Sequence, residues 1–221
     1  MEVAETVTAR RSIRAFLDRP VPVNLLQRAL QQAQMAPSGY NFQPWEAVVL
    51  SGEPMRELSA RLKSAAPQEP AEYQLVPKGL PQLYKDRRDA TVAKRMEAAG
   101  IARNDEAGRA AFQQRNFEFY GAPAVLLTFI PRVMGPPQWS DVGMWLQTLM
   151  LLLHGEGLAS CAQESLYVHA RLIKDFVGVN DETHLFFCGL AIGWADSEAP
   201  VNNFERTRAP IRDVVRFIGF S

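Results

Sequence analysis

Length, composition and charge leave a restricted set of protein classes. The chain has 221 residues, of which 47% are hydrophobic, and its 24 lysines and arginines balance 24 aspartates and glutamates. This hydrophobic content supports a packed core and excludes a disordered chain, and the length allows one large domain or two small ones. The balanced charge gives no overall attraction to nucleic acid or to an anionic membrane surface. Binding partners are therefore expected at local sites.

Cysteine usage and the absence of a leader pattern favour a cytoplasmic protein. Cys161 and Cys188 form no C-x-x-C pair and lie in apolar segments, which favours small buried side chains over a disulfide or a metal site. Glu2 and Glu5 interrupt any apolar run at the N-terminus, so no signal peptide is expected. The most apolar stretch, residues 145–153, is shorter than the roughly 20 residues that span a bilayer. No membrane partner is predicted.

The first quarter of the chain is predicted to hold two helices, a loop and a strand. A helix over residues 2–11 is expected to end at a basic cluster. Asn24 is expected to cap a second helix, whose apolar residues recur at helical spacing through Ala33. The run 47–50 is apolar throughout and predicts a strand buried on both faces, followed by a helix over 55–66.

A loop, residues 36–45, connects the second helix to this strand. Its sequence APSGYNFQPW places proline, serine, glycine and asparagine in succession, which is typical of a loop. Free backbone N–H groups, a hydroxyl and an amide suit the segment to hydrogen bonding along the edges of a flat heteroaromatic ring. The same residues are equally compatible with a plain connection between a helix and a strand.

The middle of the chain changes in composition. Residues 67–83 are rich in proline and predict irregular structure, and two polar helices are expected over 84–100 and 105–119. Aromatic residues recur along these helices, and such stripes form core more often than ligand boxes. The aromatic residues are Tyr84, Phe112, Phe117, Phe119 and Tyr120.

The second half is predicted to alternate between apolar strands and helices. Strands are expected over 124–130 and 184–191, and Pro131 with Pro136-Pro137 is expected to prevent regular structure until Trp139. Ser140 or Asp141 should cap a helix over 142–154 that is apolar around almost its whole circumference, as at the centre of a core or an oligomer interface. A helix ending at Val177 and an edge strand over 211–220 complete the prediction.

Motifs for metal or nucleophilic catalysis are missing from the sequence. No G-x-S-x-G, H-E-x-x-H, Walker or kinase pattern occurs, and His154, His169 and His184 are isolated from one another. Residues 155–160, GEGLAS, superficially fit a dinucleotide fingerprint, but they follow a helix and are interpreted as a helix end. Neither a catalytic side chain nor a metal site is assigned.

Four segments, in their order along the chain, resemble the FMN-dependent nitroreductase family. They are RRSIR at 10–14, PSGYNFQPW at 37–45, GLAIGW at 189–194 and the basic cluster RTR at 206–208. The resemblance implies an α+β fold with a central, mostly antiparallel sheet flanked by helices. It also implies one FMN-binding domain over 1–221, with a variable helical excursion at about 67–119, in an intertwined homodimer whose C-terminal tails cross between subunits.

The resemblance places the FMN phosphate between the two basic clusters, where guanidinium groups suit bidentate binding of phosphate oxygens. Arg14 would lie near flavin N1 and O2. Backbone N–H groups at Gln163, Glu164 and Ser165 would face N5 and O4, although Ala162 and Ser165 replace the proline and glycine that often bracket this motif in the family. The phosphate ligands would be Arg10, Arg11, Ser12, Arg206 and Arg208, and the partner subunit would supply Pro37, Ser38, Gly39 and Asn41.

The resemblance implies a ping-pong oxidoreductase in which flavin N5 takes a hydride from NADH or NADPH. A small aromatic electron acceptor, such as a nitroaromatic compound or a quinone, would then be reduced, because the flavin and not a side chain performs the redox chemistry. The alternatives are a flavin enzyme of the same fold that performs dehalogenation or enoate reduction, and a flavin-binding protein without turnover. Candidate substrate-pocket residues are Tyr40, Phe42, Asn116, Tyr120 and Trp139.

Overall fold

The structure is a computed structural model that describes residues 2–220. Over these residues the chain forms seven α-helices and four β-strands, joined by loops and short 3-10 helices. The strands are β1 (Glu46–Ser51), β2 (Ala124–Pro131), β3 (Ala159–Gln163) and β4 (His184–Gly193). The helices are α1 (Val3–Ala9), α2 (Val23–Ala33), α3 (Gly52–Ser64), α4 (Gln82–Ala98), α5 (Glu106–Gln114), α6 (Pro136–Gly155) and α7 (Ala170–Val177).

The four strands form one antiparallel sheet in the order β1-β2-β4-β3. Its central strand β2 alternates between two hydrophobic clusters. Leu127 and Phe129 face the cluster that includes α3, α5 and α7, whereas Leu126 and Ile130 face α2 and α6. Because successive side chains of a strand point to opposite faces, β2 contributes to two core layers, one on each side of the sheet. This arrangement confirms the expected α+β class with a mostly antiparallel sheet flanked by helices.

Several predicted element boundaries were wrong near the ends of the chain. Helix α1 ends at Ala9, so Arg10 and Arg11 follow the helix and do not belong to it. The N-cap of α2 is Pro22, and Asn24 lies within the helix. The predicted strand at 211–220 is also wrong, because only a short 3-10 turn at Ile211–Asp213 forms and the remainder of the described tail is irregular and exposed.

The strands also differ from the prediction. Strand β1 is not buried on both faces, because it lies at the edge of the sheet, and Val49 is 39% exposed. The edge strand β3 was not predicted. Its sequence ASCAQ is short and has no aromatic residue and no residue branched at Cβ, so the usual compositional signal for a strand is weak.

Two helix predictions in the middle of the chain were wrong. Helix α6 begins at Pro136, because proline is tolerated in the first turn, where its missing N–H has no partner within the helix. Asp141 therefore lies inside α6 and does not cap it. The helix expected over 105–119 ends at Gln114 and continues as a 3-10 segment, in which Phe119 and Tyr120 have positive φ values of 51° and 57°.

The remaining predictions of local structure agree with the fold. Residues 67–81 are irregular, α4 and β4 form near their expected positions, and both cysteines are free and buried. No helix within residues 2–220 combines the length and apolar character that a membrane crossing requires.

Candidate functional site

Two neighbouring cavities share Arg14 in their linings. The smaller, here called the basic pocket, has a volume of about 110 Å³ and lies between the end of α1 and residues 204–208. The larger, here called the ring cavity, has a volume of about 790 Å³ and lies between the start of the 3-10 helix at Glu164–His169 and the segment after α5. Arg14 lines both cavities, so the two spaces are parts of one site.

Backbone contacts to the sheet place Arg14 at this junction. The Ile13 N–H donates to the Ser160 carbonyl of β3 at 3.0 Å, and the Arg14 N–H donates to Asn202 Oδ1 at 2.7 Å. The buried Asn202 also donates through Nδ2 to the Ala15 carbonyl at 2.8 Å. Asn202 was not predicted as a site residue, because an asparagine outside any recognised motif gives no sequence signal for such a role.

The basic pocket brings together all five residues that the sequence assigned to a phosphate. Its lining includes Arg10, Arg11, Ser12, Arg206 and Arg208, together with Thr91 and Lys94 of α4. Two of these arginines also connect the ends of the chain, since Arg206 donates to the Thr8 and Arg10 carbonyls and Arg11 donates to the Phe204 carbonyl. The pocket is thus formed by segments nearly two hundred residues apart in sequence.

The arginines around both cavities have no acidic partners. No carboxylate among residues 2–220 forms an ion pair with Arg10, Arg11, Arg14, Arg95, Arg206 or Arg208, whereas Lys94 is paired with Glu205 at 2.6 Å. Burial lowers the pKa of Arg10, and the neighbouring charges of Arg206 and Arg208 lower it further. Such uncompensated positive charge favours an anionic ligand.

The ring cavity is lined by the other predicted ring contacts. Gln163, Glu164 and Ser165 lie on its wall, at the point where β3 ends and a 3-10 helix begins. Asn116 and Tyr120 line the same cavity, and the Tyr120 hydroxyl donates to Asn116 Oδ1 at 2.8 Å. Two segments that are distant in sequence therefore meet around this space.

Two further residues of the ring cavity were not predicted. Arg95 of α4 lies near Arg14, and burial, followed by the charge of Arg14, lowers its pKa. His169 is 3% exposed and packs edge-on against Phe117, with ring centroids 4.9 Å apart. Burial lowers the pKa of His169, so its neutral form is favoured. An isolated arginine in a charged helix and a lone histidine give no sequence signal for a site.

The predicted loop 36–45 does not line either cavity of its own chain. Its Gly39 N–H donates to the buried Asp141 carboxylate of α6 at 3.2 Å, and the Gln43 N–H donates to Ser38 Oγ at 3.0 Å. Tyr40 is 94% exposed and Phe42 is 53% exposed at the tip. Hydrogen bonds therefore hold the loop while the side chains of Tyr40 and Phe42 at its tip face outward.

Trp139 also lies away from the ring cavity. Its ring packs against Tyr73 and Phe187, with centroid separations of 5.4 Å in both cases. The buried cysteines are poor candidates for chemistry, since burial raises the pKa of Cys188 to about 12 and also raises that of Cys161. Neither cysteine is therefore assigned a chemical role in this site.

Comparison with known proteins shows the family to which this chain belongs. The model of the nitroreductase family matches residues 7–194. The chain belongs to the nitroreductase family. Among its relatives, a 4-nitrobenzoate reductase of Pseudomonas putida is 37% identical over 216 residues, which cover 97% of this chain and 94% of that protein.

Solved structures of similar proteins extend the comparison to the fold. The FMN and NADPH-dependent nitroreductase NfnB from Sphigopyxis sp. strain HMH is 42% identical, with a TM-score of 0.96 and complete coverage of both chains. The FMN-dependent nitroreductase NfnB from Mycobacterium smegmatis, solved with NADPH, is 29% identical, with a TM-score of 0.92 and 97% coverage of both chains. These likenesses confirm the nitroreductase-like fold expected from the sequence.

Proposed function

We propose that this protein is an FMN-dependent oxidoreductase that uses NAD(P)H to reduce nitroaromatic compounds. The observation that carries the proposal is the pair of cavities joined at Arg14 and surrounded by arginines without acidic partners. FMN consists of a flat ring and one terminal phosphate, and the two cavities match these parts in character. The family relatives support the same assignment, because their names include FMN, NADPH and nitroaromatic substrates.

The basic pocket supplies the ligands for the phosphate. Guanidinium groups offer paired N–H donors to phosphate oxygens, and a serine hydroxyl adds a neutral donor. Arg206 also stabilises the pocket, because its hydrogen bonds to the Thr8 and Arg10 carbonyls hold the two halves of the pocket together. The residues proposed to hold the phosphate are Arg10, Arg11, Ser12, Arg206 and Arg208.

The ring cavity supplies orientation and electrostatics for the flavin ring. Bound FMN provides the two-electron redox chemistry, and the side chains tune and protect it. Arg14 and Arg95 place positive charge at one end of the cavity, where it stabilises an anionic form of a ligand. Apolar side chains that also line the cavity, including Leu75 and Phe117, would limit the access of water and provide a surface for an aromatic acceptor.

The site is proposed to be completed by a second copy of this chain. Pro37, Ser38, Gly39 and Asn41 lie outside both cavities of their own subunit, in a loop with exposed aromatic side chains. The C-terminal tail is also apolar and exposed, with Phe217 at 66% and Phe220 at 81%. Apolar surface of this kind is typical of a protein interface, which supports a homodimer in which each loop reaches the partner's flavin.

An anaerobic reduction experiment tests the proposed function. The protein reconstituted with FMN should lose its flavin absorbance when NADPH or NADH is added, and should regain it when a nitroaromatic compound such as 4-nitrobenzoate follows. The reduced nitro compound should appear in proportion to the donor consumed. Protein that binds FMN but is not reduced by either donor would be a flavin-binding protein without turnover. Reoxidation by enoates or halogenated phenols alone would favour the alternative reactions of this fold.

A further inference from the structure

Gln163 lines the ring cavity and has a buried side-chain oxygen without a hydrogen-bond partner. Among the cavity-lining residues within 2–220, this oxygen is the only buried side-chain acceptor without a partner. The residue is 2% exposed and lines the cavity, and its Oε1 accepts no hydrogen bond. The other unpartnered buried atoms on this wall are the Nε groups of Arg14 and Arg95, which are donors. A buried amide oxygen without a partner is costly, so a ligand donor is expected to satisfy it.

The orientation of the Gln163 amide is fixed by its surroundings. Nε2 donates to the Asn116 carbonyl at 2.8 Å, and because a carbonyl can only accept, the amide cannot rotate its oxygen toward this partner. Gly189 lies opposite Gln163 in the β3–β4 pairing, and an added Cβ there would come within 2.6 Å of Leu166. The glycine therefore leaves room for the packing that holds Gln163 against the sheet.

Asn116 itself is not free to contact a ligand with its side chain. Its Oδ1 accepts hydrogen bonds from the Tyr120 hydroxyl and from Ser165 Oγ, both at 2.8 Å, and its Nδ2 donates to the Gln113 carbonyl at 2.9 Å. Asn116 was a candidate for the substrate pocket on the basis of the family resemblance. The hydrogen bonds instead give it a supporting role, in which it holds Gln163 in place.

We propose that Gln163 Oε1 accepts a hydrogen bond from N3–H of bound FMN, an inference that rests on the proposed function. The oxidised isoalloxazine ring has acceptors at N1, O2, O4 and N5, and N3–H is its only ring N–H donor. An acceptor without a partner therefore matches this one position on the ring. Gln163 is a cofactor-binding residue in this assignment, and Asn116 is a positioning residue that acts through it.

The test compares FMN with its 3-methyl analogue, in which the N3–H is replaced by a methyl group. Flavin-free protein is titrated with each, and flavin fluorescence gives the dissociation constants. The unmodified protein should bind 3-methyl-FMN at least roughly tenfold more weakly than FMN. Gln163→Leu should bind FMN roughly tenfold more weakly than the unmodified protein does. The affinities of this variant for the two flavins should differ by less than about twofold. A matched control, Gln82→Leu, changes an exposed glutamine of α4 that lines neither cavity and should preserve the full discrimination.

The outcomes separate this inference from the proposed function. If the unmodified protein binds no FMN, the proposed function fails. If it binds FMN and 3-methyl-FMN equally, the Gln163 contact is refuted while FMN binding stands, and this arm needs no variant to fold. Full discrimination in a folded Gln163→Leu protein would likewise overturn the assignment and identify Gln163 as a structural residue with a hydrated oxygen.

Discussion

Replacing Arg10 with methionine should weaken FMN binding without weakening the unliganded fold. Arg10 is half-buried, its Nε has no partner, and the neighbouring Arg206 and Arg208 repel it. Methionine keeps much of the apolar stem and removes the guanidinium group with its charge and its N–H donors. The free energy of unfolding should therefore stay the same or rise, while loss of a charge-assisted contact to phosphate should cost about 1.5–3 kcal/mol of binding, or about 10- to 150-fold in Kd.

Thermal midpoints with and without FMN, together with fluorescence titration, measure both effects. Arg109→Met is the matched control, because Arg109 is also half-buried with an unpartnered Nε but lines neither cavity. Its FMN affinity should equal that of the unmodified protein. A less stable Arg10→Met protein with unchanged FMN affinity would show that Arg10 supports the fold and not the phosphate, and would refute the reasoning.

Three further predictions concern stability and assembly. Lys174→Met removes a fully buried cation from its carboxylate partners, which should cost about 3 kcal/mol and lower Tm by about 6–12 °C; an unchanged Tm would contradict this. Burial lowers the pKa of His154 and His169, so the unfolded chain binds more protons than the folded chain below about pH 6.5, and stability should fall toward pH 5. The urea midpoint of a His154→Gln/His169→Gln variant should fall less toward pH 5 than that of the unmodified protein. An identical fall would exclude these histidines as the cause of the pH dependence. Mixing inactive Arg10→Ala/Arg208→Ala chains with inactive Ser38→Ala/Asn41→Ala chains should restore part of the activity through one intact site per heterodimer, whereas verified heterodimers without activity would place the whole site in one chain.

The sequence predicted those parts of the site whose chemistry is local. Arg10, Ser12 and Arg14 lie within five residues, and a basic cluster with a hydroxyl is a recognisable pattern for an anion. Strand β2 was equally clear, because a strand at the centre of the sheet is apolar on both faces. Both features follow from residue types that are adjacent in the chain.

Features that depend on tertiary contacts could not be predicted in this way. Arg95 belongs to a polar helix, and only the packing of α4 against the 3-10 turn at Pro200–Asn202 brings it to Arg14. The extended start of α6 at Pro136 and the edge strand β3 depend on neighbours that stabilise weak local preferences. The described tail after Arg208 alternates like a strand, but in one isolated subunit it has no strand with which to pair.

Titration of the flavin-free protein with FMN and with riboflavin tests most directly the claim that both cavities hold one cofactor. Riboflavin carries the same ring but lacks the phosphate. FMN should bind at one molecule per chain, with a Kd that rises with salt, and riboflavin should bind about 100-fold more weakly and with little dependence on salt. Equal affinities for the two flavins would mean that the basic pocket takes no part in binding, and would contradict the account.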